Sequence, residues 1–317
     1  MEVNQFAIET NLLNKIYTGG KDGHDKHALK DFSINIRSGQ IYGLLGPNGA
    51  GKSTFINILG NLVIKTSGIA KILGYDIEKR KRQARSAIGI VPQELNIDPF
   101  FKPIELLETQ AGLYGVPKKE RDSFGLLKTL GLQDQAYSYA RTLSGGMRRR
   151  LLIAKAMTHN PPVLVLDELT AGVDIELRHQ LWDFVRDLNK KGTTILLTTH
   201  YLEEAQSLCD QIGIINNGNL IADSPTKDLL QSLDRKQILI KVDNYIAEEE
   251  LHIEGVTNVA WDKDSYLTIT YQPSKINFYN ILQQLEKKNV GISDLISKET
   301  DLEDIFLDLI RGDKNKG

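Results

Sequence analysis

Ile41-Tyr42-Gly43-Leu44-Leu45-Gly46-Pro47-Asn48-Gly49-Ala50-Gly51-Lys52-Ser53-Thr54 is the stretch on which the fold turns. Ile41 to Leu45 is a continuous apolar run, as expected of a strand covered on both faces. The residues after it match G-x-x-x-x-G-K-[ST] and lead into the helical apolar pattern of Phe55, Ile56, Ile58 and Leu59. Glycines let backbone N–H groups curl around phosphate oxygens, and the helix N-terminus adds a partial positive charge. Lys52 has the reach for the β- and γ-phosphates, and the Ser53 hydroxyl suits Mg²⁺. Strand, phosphate loop and helix in that order predict an α/β sheet that binds a nucleotide.

Further along, Val163-Leu164-Val165-Leu166 is a second buried strand, and it ends in Asp167-Glu168. Carboxylates there lie at the C-terminal edge of the sheet, where α/β folds bind ligands. Asp167 would hold Mg²⁺ through its water shell, and Glu168 stands where a general base polarises an attacking water. A solvated turn is the bland reading of such a strand end. Thr194 to Leu197 is a third apolar strand, followed by His200. Ile212 to Ile215, Asn216-Asn217-Gly218-Asn219 and Leu220-Ile221 read as a hairpin, since Asn-Gly supplies the positive φ of a tight turn.

Between the loop and the Asp-Glu strand stands Leu143-Ser144-Gly145-Gly146-Met147. With these motifs in this order, residues 1 to about 225 resemble the ATP-binding subunit of ATP-binding cassette (ABC) transporters. The wording is most similar to ABC-2 type exporter subunits, whose permease is a separate chain. The resemblance implies an α/β fold: a P-loop NTPase ABC cassette, with RecA-like core and helical subdomain, over residues 1–230. A small C-terminal α+β accessory domain over 235–317 completes it.

The resemblance also assigns roles. Gly46, Pro47, Asn48, Gly49, Ala50, Gly51, Lys52, Ser53 and Thr54 would bind ATP, with Tyr17 stacked on the adenine. Ser53, Gln93 and Asp167 would hold Mg²⁺; Gln93, in Ile90-Val91-Pro92-Gln93, falls at the Q-loop. Glu168, His200 and Gln93 would be the catalytic residues, acting on the lytic water and the γ-phosphate. Ser144, Gly145 and Gly146 would face the phosphate loop of a second copy, and Asp174 would lie in the D-loop between the two. The implied partners are that second copy and an integral-membrane permease, which would hold the chain at the inner face of the cell membrane. The cargo would be the permease's choice. The alternative is a soluble ABC ATPase acting on nucleic acid or ribosomes, or a scaffold of the cell-division type.

Other segments leave two readings each. Arg148, Arg149 and Arg150, in a helix's first turn, oppose its dipole and so answer phosphate or a carboxylate, or else form a solvated basic face. Asp98-Pro99-Phe100-Phe101-Lys102-Pro103 and the following Leu106, Leu107 and Leu113 either anchor a permease helix or form the subdomain's own core. Leu169 stands where the family has proline, and proline there is expected to pre-order the D-loop. His24 and His27 lie in a polar, glycine-containing loop and read as solvated surface. Cys209 follows Leu202, Ala205 and Leu208 in a helical pattern and reads as core.

Composition limits the alternatives. At 41% hydrophobic and 25% charged residues, the chain is neither disordered nor collagenous nor coiled-coil. A net charge of -2 leaves no electrostatic footprint for nucleic acid, so none is expected as a partner. One cysteine excludes an internal disulfide and fits a reducing compartment. No apolar run approaches the ~18 residues of a membrane helix, and Met1 to Asn14 lacks a signal-peptide layout. A cytosolic location is therefore expected. From Gln237 on, the pattern reads strand, short helix, strand, strand, helix, strand, helix. Thr300-Asp301-Leu302-Glu303 looks like a capping box for the last of these.

Overall fold

The structure is a computed structural model. It describes residues 5–19, 24–170, 173–231, 234, 236–243, 251–262, 266–288, 290–298, 302–303, 305–306 and 309–310. Its elements run β1 Phe6–Tyr17, β2 Lys26–Phe32, β3 Asn35–Arg37, β4 Ile41–Leu45, α1 Lys52–Leu59, β5 Ser67–Ile72, β6 Tyr75–Asp76, α2 Lys81–Ser86 and β7 Ile88–Val91. Next come α3 Pro103–Leu113, α4 Ser123–Thr129, α5 Gly145–Met157, β8 Val163–Asp167, α6 Ile175–Lys190, β9 Thr194–Thr199, α7 Leu202–Leu208, β10 Gln211–Asn216, β11 Asn219–Pro225 and α8 Thr226–Gln231. β12 Lys236–Val242, β13 Val256–Trp261, β14 Tyr266–Tyr271, α9 Phe278–Lys287 and β15 Ile292–Lys298 follow.

The chain forms two compact units, Met1–Thr226 and Lys227–Gly317. In the first, a six-stranded sheet has the order β11-β10-β4-β9-β8-β7. β10, β4, β9, β8 and β7 are parallel, and β11 returns antiparallel through the Asn217-Gly218 turn, both residues at positive φ. The strands foreseen from apolar runs are buried throughout: β4 and β8 have no exposed residue, as sheets covered on both faces require. A second, antiparallel sheet of β2, β1, β5, β6 and β3 was not legible as such from the sequence. Its inward residues Ile8, Leu13, Phe32, Ile36 and Ile72 share one core with Phe55 and Ile58 of α1 and Val163 and Val165 of β8. That shared core presses α1, and with it the phosphate loop, onto the parallel sheet.

The second unit is an antiparallel sheet, β13-β14-β12-β15, with α9 packed on it. Leu267, Ile269 and Tyr271 alternate along β14 and are buried. Thr270 is buried as well, and its hydroxyl accepts from the Gln237 side-chain amide at 3.4 Å. Ile281 and Leu285 form the inner face of α9. The short helix expected after β12 and the Thr300 capping box fall largely outside the described residues; Leu302 and Ile305 are buried. Among the described residues, no helix is long and apolar enough to cross a membrane.

Candidate active site

Parallel strand order brings the predicted residues together. The phosphate loop follows β4, His200 follows β9, Asp167 and Glu168 end β8, and Gln93 follows β7. These four strands are consecutive neighbours in the sheet, so four loops distant in sequence open on one edge.

Gly51 opens α1 at φ 122°, a conformation that suits glycine, and no side chain caps the helix. A Cβ on Gly46 would lie 2.3 Å from the Ile215 carbonyl, which holds the loop against β10. Lys52 is buried, and its Nζ donates to the Gly46 carbonyl at 2.6 Å and lies 3.3 Å from that of Pro47. Burial pushes the ammonium's pKa down, and Glu168 and Asp167 draw it back up. An uncapped helix N-terminus with a buried cation beside it fits a phosphate chain. The Tyr17 hydroxyl lies 3.5 Å from Thr54 Oγ1, and Lys15 Nζ lies 4.7 Å from the Tyr17 ring centroid. Tyr17 thus ends β1 beside the loop.

Asp167 is buried and accepts a hydrogen bond from Thr198 Oγ1 at 2.5 Å. Burial pushes its carboxyl up; the Thr198 bond holds it back, Glu168 raises it and Lys52 lowers it. Glu168 adopts φ 48°, a left-handed geometry costing a non-glycine residue about 1–2 kcal/mol. Its N–H meets the Thr198 carbonyl at 3.0 Å and hydroxyl at 3.2 Å. The bend presents the carboxylate to two partners. Gln93 Nε2 donates to Glu168 Oε2 at 2.9 Å, and His200 Nδ1 lies 3.3 Å from the same oxygen. His200 is half exposed while Glu168 is buried, so the pair sits at the mouth of the site.

The donors also fit Mg²⁺. Exposed Ser53, buried Asp167 and the Gln93 amide offer hard oxygen ligands. Among the described residues, no group of three or more His, Cys, Asp or Glu could hold a metal alone.

No bond described joins Ser144, Gly145, Gly146 or Asp174 to this cluster. Ser144 caps α5, its hydroxyl accepting from Met147 N at 3.3 Å, so the helix begins at Gly145. Asp174 caps α6 and accepts from Leu177 N at 2.8 Å. The two caps meet through Leu177, whose Cδ2 would lie 2.4 Å from a Cβ on Gly146.

Several sequence readings change. The three arginines donate to backbone carbonyls, Arg148 to Arg141 O, Arg149 to Gln93 O at 2.8 Å and Arg150 to Leu130 O, and the Glu168 carboxylate also supports the Arg149 charge. Arg149 thus fixes the backbone of the Gln93 loop. Phe100 is 68% exposed and so is not core; Leu107 is the core residue of that segment. Leu169 is buried, so its side chain fills apolar space that proline would leave partly empty. Cys209 is buried, as expected. Sequence reasoning missed Thr198 and the role of Arg149. The signal for Thr198 was present: a hydroxyl in a strand buried on both faces must find a partner.

A family model described as ABC transporter matches residues 29–171. The linearmycin resistance ATP-binding protein of Bacillus subtilis is 34% identical over 293 residues, covering 90% of this chain and 94% of that one. The daunorubicin/doxorubicin resistance ATP-binding protein of Streptomyces peucetius is 33% identical over 309 residues, covering 96% and 92%. Nod factor export ATP-binding protein I of Cupriavidus pinatubonensis is 40% identical over 210 residues, 66% of this chain; the match spans 65% of that relative's length. Among solved structures, an ATP-binding subunit of an ABC transporter superposes with TM-score 0.64 at 28% identity, over 71% of this chain and 92% of that one. A dimeric ATP-binding cassette bound to ADP and Pi gives 0.63 at 26%, over 69% and 98%. The chain belongs to the ABC transporter family and is one of its ATP-binding, ATP-hydrolysing subunits. Cassettes of this family dimerise and work with a membrane permease.

Proposed function

We propose that this chain is the ATPase of an ABC-2 type exporter, working as an ATP- and Mg²⁺-dependent homodimer on a separate membrane permease. Its location is then the inner face of the cell membrane, through that permease. The resistance and export relatives support this reading over a nucleic-acid or scaffold role.

Lys52 and the uncapped start of α1 bind the phosphates. When bound, Mg²⁺ neutralises phosphate charge. Glu168, oriented by Gln93 and His200, accepts the proton of the attacking water. Most of the rate comes from positioning and charge stabilisation. Ser144 to Gly146, which no bond described ties to their own chain's cluster, serve the nucleotide of the partner copy.

One observation carries the transport reading. A groove of ≈ 850 Å³ runs beside α2, α3 and α5, and Pro92, next to Gln93, lines it. Exposed Leu62 and Leu113 offer apolar contact, while Arg82, Arg85 and Lys155 ring it with positive charge. It suits an amphipathic permease helix with acidic residues. A helix seated there would press on the loop whose glutamine holds Glu168. On this reading the docking surface is that groove, and exposed Phe100 remains available for contact with the permease beside it.

Two measurements test the reading. Lys52→Ala and Glu168→Gln are each expected to cut Mg²⁺-dependent ATP hydrolysis by about 100-fold or more. Wild-type rates would remove the site assignment. Tagged chain purified from solubilised membranes is expected to retain a multispanning protein, released by Arg82→Glu with Arg85→Glu. Recovery of ribosomes or nucleic acid instead would favour the soluble alternative.

A further inference from the structure

His200 is half exposed at a strand end, where an imidazole ordinarily samples several rotamers. Here its ring packs against a neighbour. The Tyr201 ring lies 4.2 Å away, centroid to centroid, tilted by 34°. On Tyr201 sits the Arg178 guanidinium, 4.9 Å from the ring centroid. The Tyr201 backbone is itself fixed, because its N–H donates to Thr199 Oγ1 at 2.9 Å.

Arg178 lies in the first turn of α6, its N–H bonded to the Asp174 carbonyl at 3.0 Å. Four residues on, and so on the same helix face, Trp182 donates its indole N–H to Glu204 Oε1 at 3.0 Å. Glu204, on α7, is fully buried, and the sites proposed above make no use of it. Burial pushes its carboxyl up, while Thr199, Thr170, Trp182 and the Arg178 charge pull it back. A buried carboxylate bonded to Trp182 ties α6 to α7, with Thr199, Thr170 and the Arg178 charge around it. Removing one partner from such a cluster leaves the others without compensation.

We propose that Arg178 and Tyr201 are positioning residues for His200: Glu204 anchors the Arg178 side of α6, Arg178 braces the Tyr201 ring, and that ring sets the imidazole plane facing Glu168. The inference rests on the reading of Glu168 and His200 as hydrolytic residues. Neither Arg178 nor Tyr201 touches the phosphate loop through any bond described, so their loss acts on rate rather than on ATP capture. A misplaced group costs up to about 100-fold in rate, and loss of one brace costs part of that.

Single-turnover ATP hydrolysis by the full chain, with Mg²⁺ and with ATP affinity and Tm measured in parallel, tests this. Tyr201→Leu is expected to slow hydrolysis about tenfold, with ATP affinity within about twofold of wild type. Tyr201→Phe, which keeps the ring, restores most of the rate. Arg178→Met behaves as Tyr201→Leu does, and on a His200→Ala background Tyr201→Leu brings no further loss, because the brace has nothing left to hold. Wild-type hydrolysis by Tyr201→Leu, equal slowing by Tyr201→Phe, or a further loss on the His200→Ala background would each overturn the inference. If His200→Ala and Glu168→Gln both hydrolyse ATP at the wild-type rate, the underlying reading fails and takes the inference with it. If those two are slow while Tyr201→Leu is fast, the positioning claim alone falls.

Discussion

Thr198 brings a single hydroxyl into the buried strand β9, and it serves both carboxylate residues of the site. It donates to Asp167 Oδ1 and lies 3.2 Å from the Glu168 N–H. Thr198→Val keeps the shape and removes both contacts. A hydrogen bond to a charged group is worth about 1.5–3 kcal/mol, and the lost partner leaves Asp167 buried with less support. The variant is expected to lose about that much stability by urea denaturation, and to hydrolyse ATP more slowly as Asp167 becomes easier to protonate. Unchanged stability would show that the hydroxyl is not a working partner of Asp167. Leu169 tests burial in the same neighbourhood. Its side chain is 1% exposed, so Leu169→Pro removes packed volume, whatever order proline adds to the unfolded chain. A loss of about 1–3 kcal/mol is expected, visible as a Tm lowered by roughly 2–4 °C per kcal/mol. A Tm held or raised would restore the expectation drawn from the family's proline.

At the scale of elements, helices α3 and α5 are joined to the parallel sheet through a histidine. His159, two residues past α5, stacks on Tyr114 at the end of α3 with ring centroids 3.7 Å apart, and its Nε2 lies 3.1 Å from the Ile88 carbonyl. Burial pushes its pKa below the ordinary 6.5, opposed only by the Ile88 bond. The unfolded chain therefore binds this proton more readily than the folded one. The sign follows: His159's contribution is present above pH ~6.5 and is lost as pH falls from there toward the folded value. Thermal melts of wild type and His159→Gln between pH 7.5 and 5 check it. The wild type is expected to lose stability more steeply over that interval; parallel curves would mean that His159 does not titrate with unfolding.

For the whole molecule, the proposed role of Ser144–Gly146 toward a partner's nucleotide carries a prediction about assembly. Glu168→Gln keeps side-chain size and removes the base, so ATP binds, joins two chains and is not consumed. Sizing chromatography with ATP and Mg²⁺ is expected to give a stable dimer for this variant and mainly monomer without nucleotide. Ser144→Arg added to it places bulk at the cap of α5, where the partner's γ-phosphate would arrive, and is expected to abolish the dimer. A dimer that survives in the double variant would show that the two copies do not share their sites.

Gln93 and His200 became candidates through the resemblance to the family. The sequence alone determined the phosphate loop, the buried strands β4, β8 and β9, and the identity of Lys52, Asp167 and Glu168 as candidates. Each rests on consecutive residues: glycines for positive φ, apolar runs for strands, and a lysine one residue into a helix. Tertiary structure decided which of those pieces meet. The order β4-β9-β8-β7 depends on pairing between strands tens of residues apart, and no local periodicity encodes it. The same holds for Thr198 serving Asp167, for Arg149 turning to the Gln93 loop, and for Phe100 lying outside the core while Leu169 lies within it. A side chain's polarity fixes that it needs a partner or a dry place, and only the assembled fold supplies one.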